Sequence, residues 1–142
     1  MTASDAPKPV LQDTKVDTRI KLAALWAATT LCYLYGDYFD LYRPGKLGGM
    51  LEGRMPPLGP VTQGVLLGTS ILMAIPSLMV ALSVLLRPGL SRWANILFGA
   101  VFSLIMALAI QGTWTFYKFF GLVEIALTLT IVWIAWRWPR TA

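Results

Sequence analysis

Four apolar runs, at about 20–42, 61–86, 92–111 and 115–136, are separated by short segments rich in proline, glycine and charge. Each run has the roughly 18 or more apolar positions that a helix needs to cross a bilayer. The pattern predicts an all-α polytopic membrane protein, a four-transmembrane-helix bundle occupying 19–142 as one membrane domain behind a flexible tail at 1–18. Arg19 and Lys21 open the first span, and Arg43-Pro44-Gly45 closes it with charge and a helix stop. Five glycines and four prolines among residues 43–60 predict a loop without regular helix. In the second span, Gly64 and Gly68 offer a close-packing seam and Pro76 a bend. Ser91 is placed to cap the third span, whose Gly99, Ser103 and Ala107 repeat at four-residue spacing as another seam. The short link Gly112-Thr113-Trp114 makes spans three and four an antiparallel hairpin.

Composition sharpens this picture. The chain has 142 residues, 56% of them hydrophobic and 13% charged, against roughly 45–50% and 25% in soluble domains, and the segments between the runs leave no room for a soluble domain. The net charge of +5 comes from residues at the ends of the runs. They form no basic face, so they read as topology signals, and nucleic acid is not expected as a partner. With four spans, Lys8, Lys15, Arg19, Lys21, Arg87, Arg92, Arg137 and Arg140 share one side, against Arg43, Lys46, Arg54 and Lys118 on the other. The positive-inside rule then puts both termini in the cytoplasm and the protein in the cell (inner) membrane. Trp93, Trp133, Trp136 and Trp138 mark the inner interface and Trp114 the outer. The first run continues into Asp37 and Asp40 without a small-residue cleavage site, so no signal peptide is expected. Cys32 is the only cysteine and there is no histidine. No disulfide, metal site or cofactor is therefore expected.

Acids inside membrane helices are the candidate chemistry. Trp26, Thr30, Tyr33, Asp37 and Asp40 follow at steps of four, three, four and three, so one helix stripe carries them. An ionised Asp at mid-bilayer costs roughly 2.5–3.5 kcal/mol on insertion scales, several times what one Leu returns. At ~1.5 Å per residue, Asp37 and Asp40 lie near the outer end of their span and Glu124 sits ~14 Å deep in the fourth, the costliest acid of the chain. The sharp reading is an outer-half pocket of Tyr33, Asp37, Asp40, Gln63, Tyr117 and Glu124 that binds, or helps to move, a small solute, an ion or a lipid group. Beside it stands the bland reading, in which Glu124 is protonated or bonded to Tyr and Gln side chains and only fixes helix order. Transport along four spans would call for a homo-oligomer; two further alternatives are an accessory subunit of a larger membrane complex, favoured if the Gly64/Gly68 or Gly99/Ser103 seams are exposed, and a carboxylate-based lipid or isoprenoid enzyme. No nucleophile constellation accompanies the acids, so no catalytic residue is named.

The segments Tyr35-Gly-Asp37 with Pro44-Gly45, Thr62-Gln-Gly64, Met73-Ala-Ile-Pro76, Arg92-Trp-Ala-Asn-Ile96 and Tyr117-Lys-Phe-Phe120 with Glu124 together resemble a family of small four-span prokaryotic membrane proteins of uncharacterised function. The resemblance covers about 20–138 and implies a fold but no reaction. In span number and hairpin layout alone, the chain is also similar to DoxX-like membrane proteins.

Overall fold

The computed structural model describes residues 11–139. The expected tail falls largely on residues 1–10, outside the described residues, as does Arg140; residues 11–17 are exposed and irregular. Asp17 caps α1 (Thr18–Asp40), its carboxylate accepting from the Arg19 amide at 2.8 Å. The helix stops before Pro44 and Gly45, and Gly45 has φ +78°.

The segment at 43–60, expected to hold no regular helix, contains α2 (Lys46–Leu51) and a minimal antiparallel hairpin, β1 (Arg54–Met55) with β2 (Gly59–Pro60). The reason lies in where the breakers stand. The prolines at 44, 56, 57 and 60 leave 45–55 free of them, and of the glycines with positive φ, Gly45 and Gly53 stand outside α2 while Gly59 opens β2. Glu52 and Arg54 form an exposed ion pair here.

Thr62 caps α3 (Gln63–Leu85), which runs unbroken through Pro76. The next helix, α4 (Pro88–Ala109), starts a turn earlier than expected. Pro88 serves in its first turn, where the missing amide is no loss. Ser91 is thus no cap: it is buried, and its hydroxyl donates to the Ser83 carbonyl at 2.9 Å. A turn at Gly112, φ +70°, leads into α5 (Thr115–Trp136).

Among the described residues α3, α4 and α5 are long and apolar enough to cross a membrane. Much of their outward surface is apolar, including Leu67, Ile71, Leu97, Leu104, Leu122 and Trp133, as a lipid-facing surface requires. α1 is as long but carries Arg19, Lys21, Asp37 and Asp40. It packs against α3 and α5, and α4 packs against α5 and more lightly against α3. α1 and α4 run one way, α3 and α5 the other. One end of the protein therefore gathers the start of α1, the end of α5 and the α3–α4 turn, and is called the terminal end below; the other gathers residues 41–62 and the α4–α5 turn, and is called the loop end.

The core lies toward the terminal end. Leu22, Trp26, Met79, Ile131 and Ala135 are buried there, around a polar knot at Asn95. Asn95 Oδ1 accepts from Trp26 Nε1 at 2.7 Å and from the Ser83 hydroxyl at 3.1 Å, and its Nδ2 donates to the Ser91 carbonyl at 2.8 Å. Every polar atom of the amide has a use, which is what burial demands. Arg92 donates through Nε to the Ala135 carbonyl and lies over the Trp93 and Trp136 rings, while Arg137 lies over Trp133. This is a basic and aromatic rim of the kind found at membrane interfaces.

Candidate functional site

The expected polar stripe of α1 is turned slightly from its predicted direction. Trp26, Tyr33 and Asp40 are buried as one face, but the residues buried between them are Thr29 and Gly36, leaving Thr30 and Asp37 at its edge. Size explains the rotation. At Gly36 an added Cβ would stand at ordinary contact distance, 3.8 Å from Phe120 Cβ and 4.0 Å from Glu124 Oε1, so α5 packs there with room for a methyl but not for a longer side chain. On the far side of α5, Gly121 faces α4, and an added Cβ would collide with Ile110 and press on Met106. Two glycines thus close α1, α5 and α4 around one level of the loop-end half.

At that level lies a cavity of about 10 Å³, near the smallest size that holds one water molecule, roughly 10–15 Å³ in this measure. Tyr33, Asp37, Tyr117 and Glu124 line it, with Gly36, Phe120, Gly121 and Met106. Tyr33 and Glu124 are 7% and 2% exposed, and the Tyr33 hydroxyl and Glu124 Oε2 have no hydrogen-bond partner among the described residues. An unsatisfied buried polar atom costs about 1–3 kcal/mol. Both residues line the one cavity, where a single small occupant could bond both.

Tyr117 also lines two wider clefts opening at the loop end, of about 450 and 490 Å³. Asp40 and Lys46 line both, with Lys46 Nζ 2.6 Å from Asp40 Oδ2 and Arg43 Nε 3.4 Å from Oδ1. Asp37 shares the small cavity and the second cleft, and no ion pair engages it among the described residues. The structure therefore brings together Tyr33, Asp37, Tyr117 and Glu124, with Asp40 at the mouth.

Gln63 stands apart, exposed in the first turn of α3 and lining neither the cavity nor the two clefts. Beyond Pro76 the loop-end half of α3 packs little; all its buried residues, Pro76, Met79 and Ser83, lie in the other half. The glycine seams differ in the same way. Gly99 is buried against α5, where an added Cβ would stand 2.8 Å from Val132 and 3.2 Å from the Thr128 carbonyl, and Ser103 bonds the Thr128 hydroxyl at 2.6 Å. Gly68 meets nothing within 4 Å and Gly64 only its own cap, Thr62. Lys46, Gly36 and Phe120 were missed as site residues. Gly36 and Phe120 adjoin named positions, whereas nothing local in the chain points Lys46 at Asp40.

A family model described as a family of unknown function, DUF6326, matches residues 12–142. The chain belongs to that family. No curated protein and no solved structure matches it. The family is one without an assigned function, as the resemblance implied, and its match carries neither a number of spans nor a likeness to DoxX-like proteins. Among the described residues no group of three or more His, Cys, Asp or Glu side chains is arranged to hold a metal ion.

Proposed function

We propose that all four long helices cross the cell membrane, α1 included, as one domain with the loop end outside and both termini in the cytoplasm. α1 has 23 residues, about 34 Å at ~1.5 Å each, enough for a hydrocarbon core of about 30 Å. Two of its polar groups face protein, Tyr33 and Asp40 being buried and Asp40 paired with Lys46, while the exposed Asp37 opens on a loop-end cleft near the end of the helix. The count of Lys and Arg beside the helices supports the orientation.

On this reading the protein binds a proton or a water-sized monovalent cation at Glu124, reached from outside past Tyr117, and so serves as the membrane part of an ion-handling system. What carries the reading is the pair of unpartnered atoms, Tyr33 Oη and Glu124 Oε2, in a cavity with room for one water-sized occupant. An organic solute does not fit there; an ion replacing a water does. Infrared difference spectroscopy of the protein in lipid tests it, perfused with changes of pH and then of Na⁺ or K⁺. A carboxyl band that responds and is missing in Glu124→Gln is the expected result. A spectrum indifferent to both perfusions, or the same response in Glu124→Gln, would refute it.

A second reading, assembly into a homo-oligomer or larger membrane complex, is favoured by the unpartnered face of Gly64 and Gly68. Gly68→Leu should then lower the mass of the particle released gently from its membrane, and an unchanged particle would remove it.

A further inference from the structure

A groove of about 380 Å³ lies at the loop end, where α1 finishes and α5 begins, lined by Phe39, Tyr42, Arg43, Trp114, Phe116 and Phe120. It shares Arg43 with one of the two loop-end clefts and Phe120 with the small cavity, but none of the acids that line them. We propose that it is a binding site for an anionic phospholipid, with acyl chain against the aromatic wall and phosphate at Arg43. The inference rests on the membrane placement proposed above, but not on ion binding at Glu124.

The observations converge on an amphiphile with a negative head. The wall is apolar and firm: Phe39 of α1 stacks on Phe120 of α5 with centroids 6.2 Å apart and planes 21° apart. Tyr42 and Trp114 are 72% and 53% exposed at the rim, the amphipathic residues that favour the depth of lipid headgroups. Among these six, Arg43 alone is charged. Asp40 does not use it up, since the short contact to Asp40 is made by Lys46 at 2.6 Å and Arg43 approaches only to 3.4 Å. A guanidinium with donors to spare matches a phosphodiester.

The backbone adds to the same field. Trp114 is the N-cap of α5 and makes no side-chain cap bond, and the first amide returned within the helix is that of Lys118, to the Trp114 carbonyl. The amides of Thr115 to Tyr117 are thus unused by the helix and lie beside the groove, at the positive end of a 22-residue helix. A lateral apolar groove at this depth meets lipid before any other occupant, and the charge selects which lipid.

The test uses the full chain in phosphatidylcholine vesicles containing either brominated phosphatidylglycerol or brominated phosphatidylcholine at equal mole fraction. The Trp114 signal is taken as the difference from Trp114→Phe. Quenching by the anionic lipid should exceed that by the zwitterionic one about fivefold, the preference expected for one basic residue at the surface. Arg43→Gln should bring the ratio to one and Arg43→Lys should keep part of it, with unchanged melting confirming the fold. Equal quenching by both lipids in the unmodified protein would overturn the site while leaving the membrane placement standing. Absence of quenching by either would overturn both.

Discussion

Trp26 and Asn95, 69 positions apart, are joined by a 2.7 Å hydrogen bond inside the terminal-end core. The same Asn95 oxygen accepts from Ser83 on α3, so a single amide ties three helices together. Asn95→Ala leaves the buried indole N–H and the Ser83 hydroxyl without their acceptor and should cost about 1–2 kcal/mol. Thermal melting in detergent measures this, and a double-mutant cycle with Trp26→Phe should return a coupling of about 1 kcal/mol. Strictly additive losses would show that the bond contributes nothing.

The glycines give a paired prediction. Gly99→Ala presses a methyl on the Thr128 carbonyl, fixed backbone that cannot turn aside, and should destabilise by about 1–3 kcal/mol. Gly68→Ala meets open space and should gain up to about 1 kcal/mol of helix propensity. Melting temperatures that move together, in either direction, would contradict the packing described.

How far the chain could be read before folding follows from the same residues. Apolar runs and breakers located the long helices closely, because a bilayer-length helix is a local property. The buried face of α1 differs by part of a turn from its polar stripe because contact with α5 decides it, and Gly36 rather than Asp37 faces Phe120. Nothing in the sequence of α3 alone says which half packs; its buried residues, Pro76, Met79 and Ser83, lie in the C-terminal half, which leaves Gln63 outside the pocket. Lys46 was out of reach for another reason. Its partnership with Asp40 is created by α2, a helix that fits only because the prolines fall outside it.

That partnership should hold the segment above the clefts. Lys46→Met removes the closer of two cations from Asp40, whose side chain is 12% exposed. The non-proline amides from Lys46 to Gly59 should then exchange hydrogen faster, with no change around Asn95, since local opening follows local contacts. Mass-resolved hydrogen exchange in nanodiscs is the measurement. Uniform acceleration would mean a global loss, and no acceleration would mean that the backbone of α2 and the hairpin suffices.

The last prediction concerns what separates the cavity from the polar knot. Phe102 is 3% exposed and sits between them, its ring 6.1 Å from that of Tyr33 and 6.1 Å from that of Trp26. If Glu124 takes up a proton or cation from outside, this ring is the barrier to onward passage. Phe102→Ala should open a void and admit water, at a stability cost of about 3–5 kcal/mol; Phe102→Leu should keep the seal at a smaller cost. In vesicles with an internal pH dye and a potassium diffusion potential, the alanine variant should acidify faster than the unmodified protein, and adding Glu124→Gln should abolish the gain. A folded Phe102→Ala protein no leakier than Phe102→Leu would show that the ring seals nothing. A leak surviving Glu124→Gln would show that the path does not run through the carboxyl.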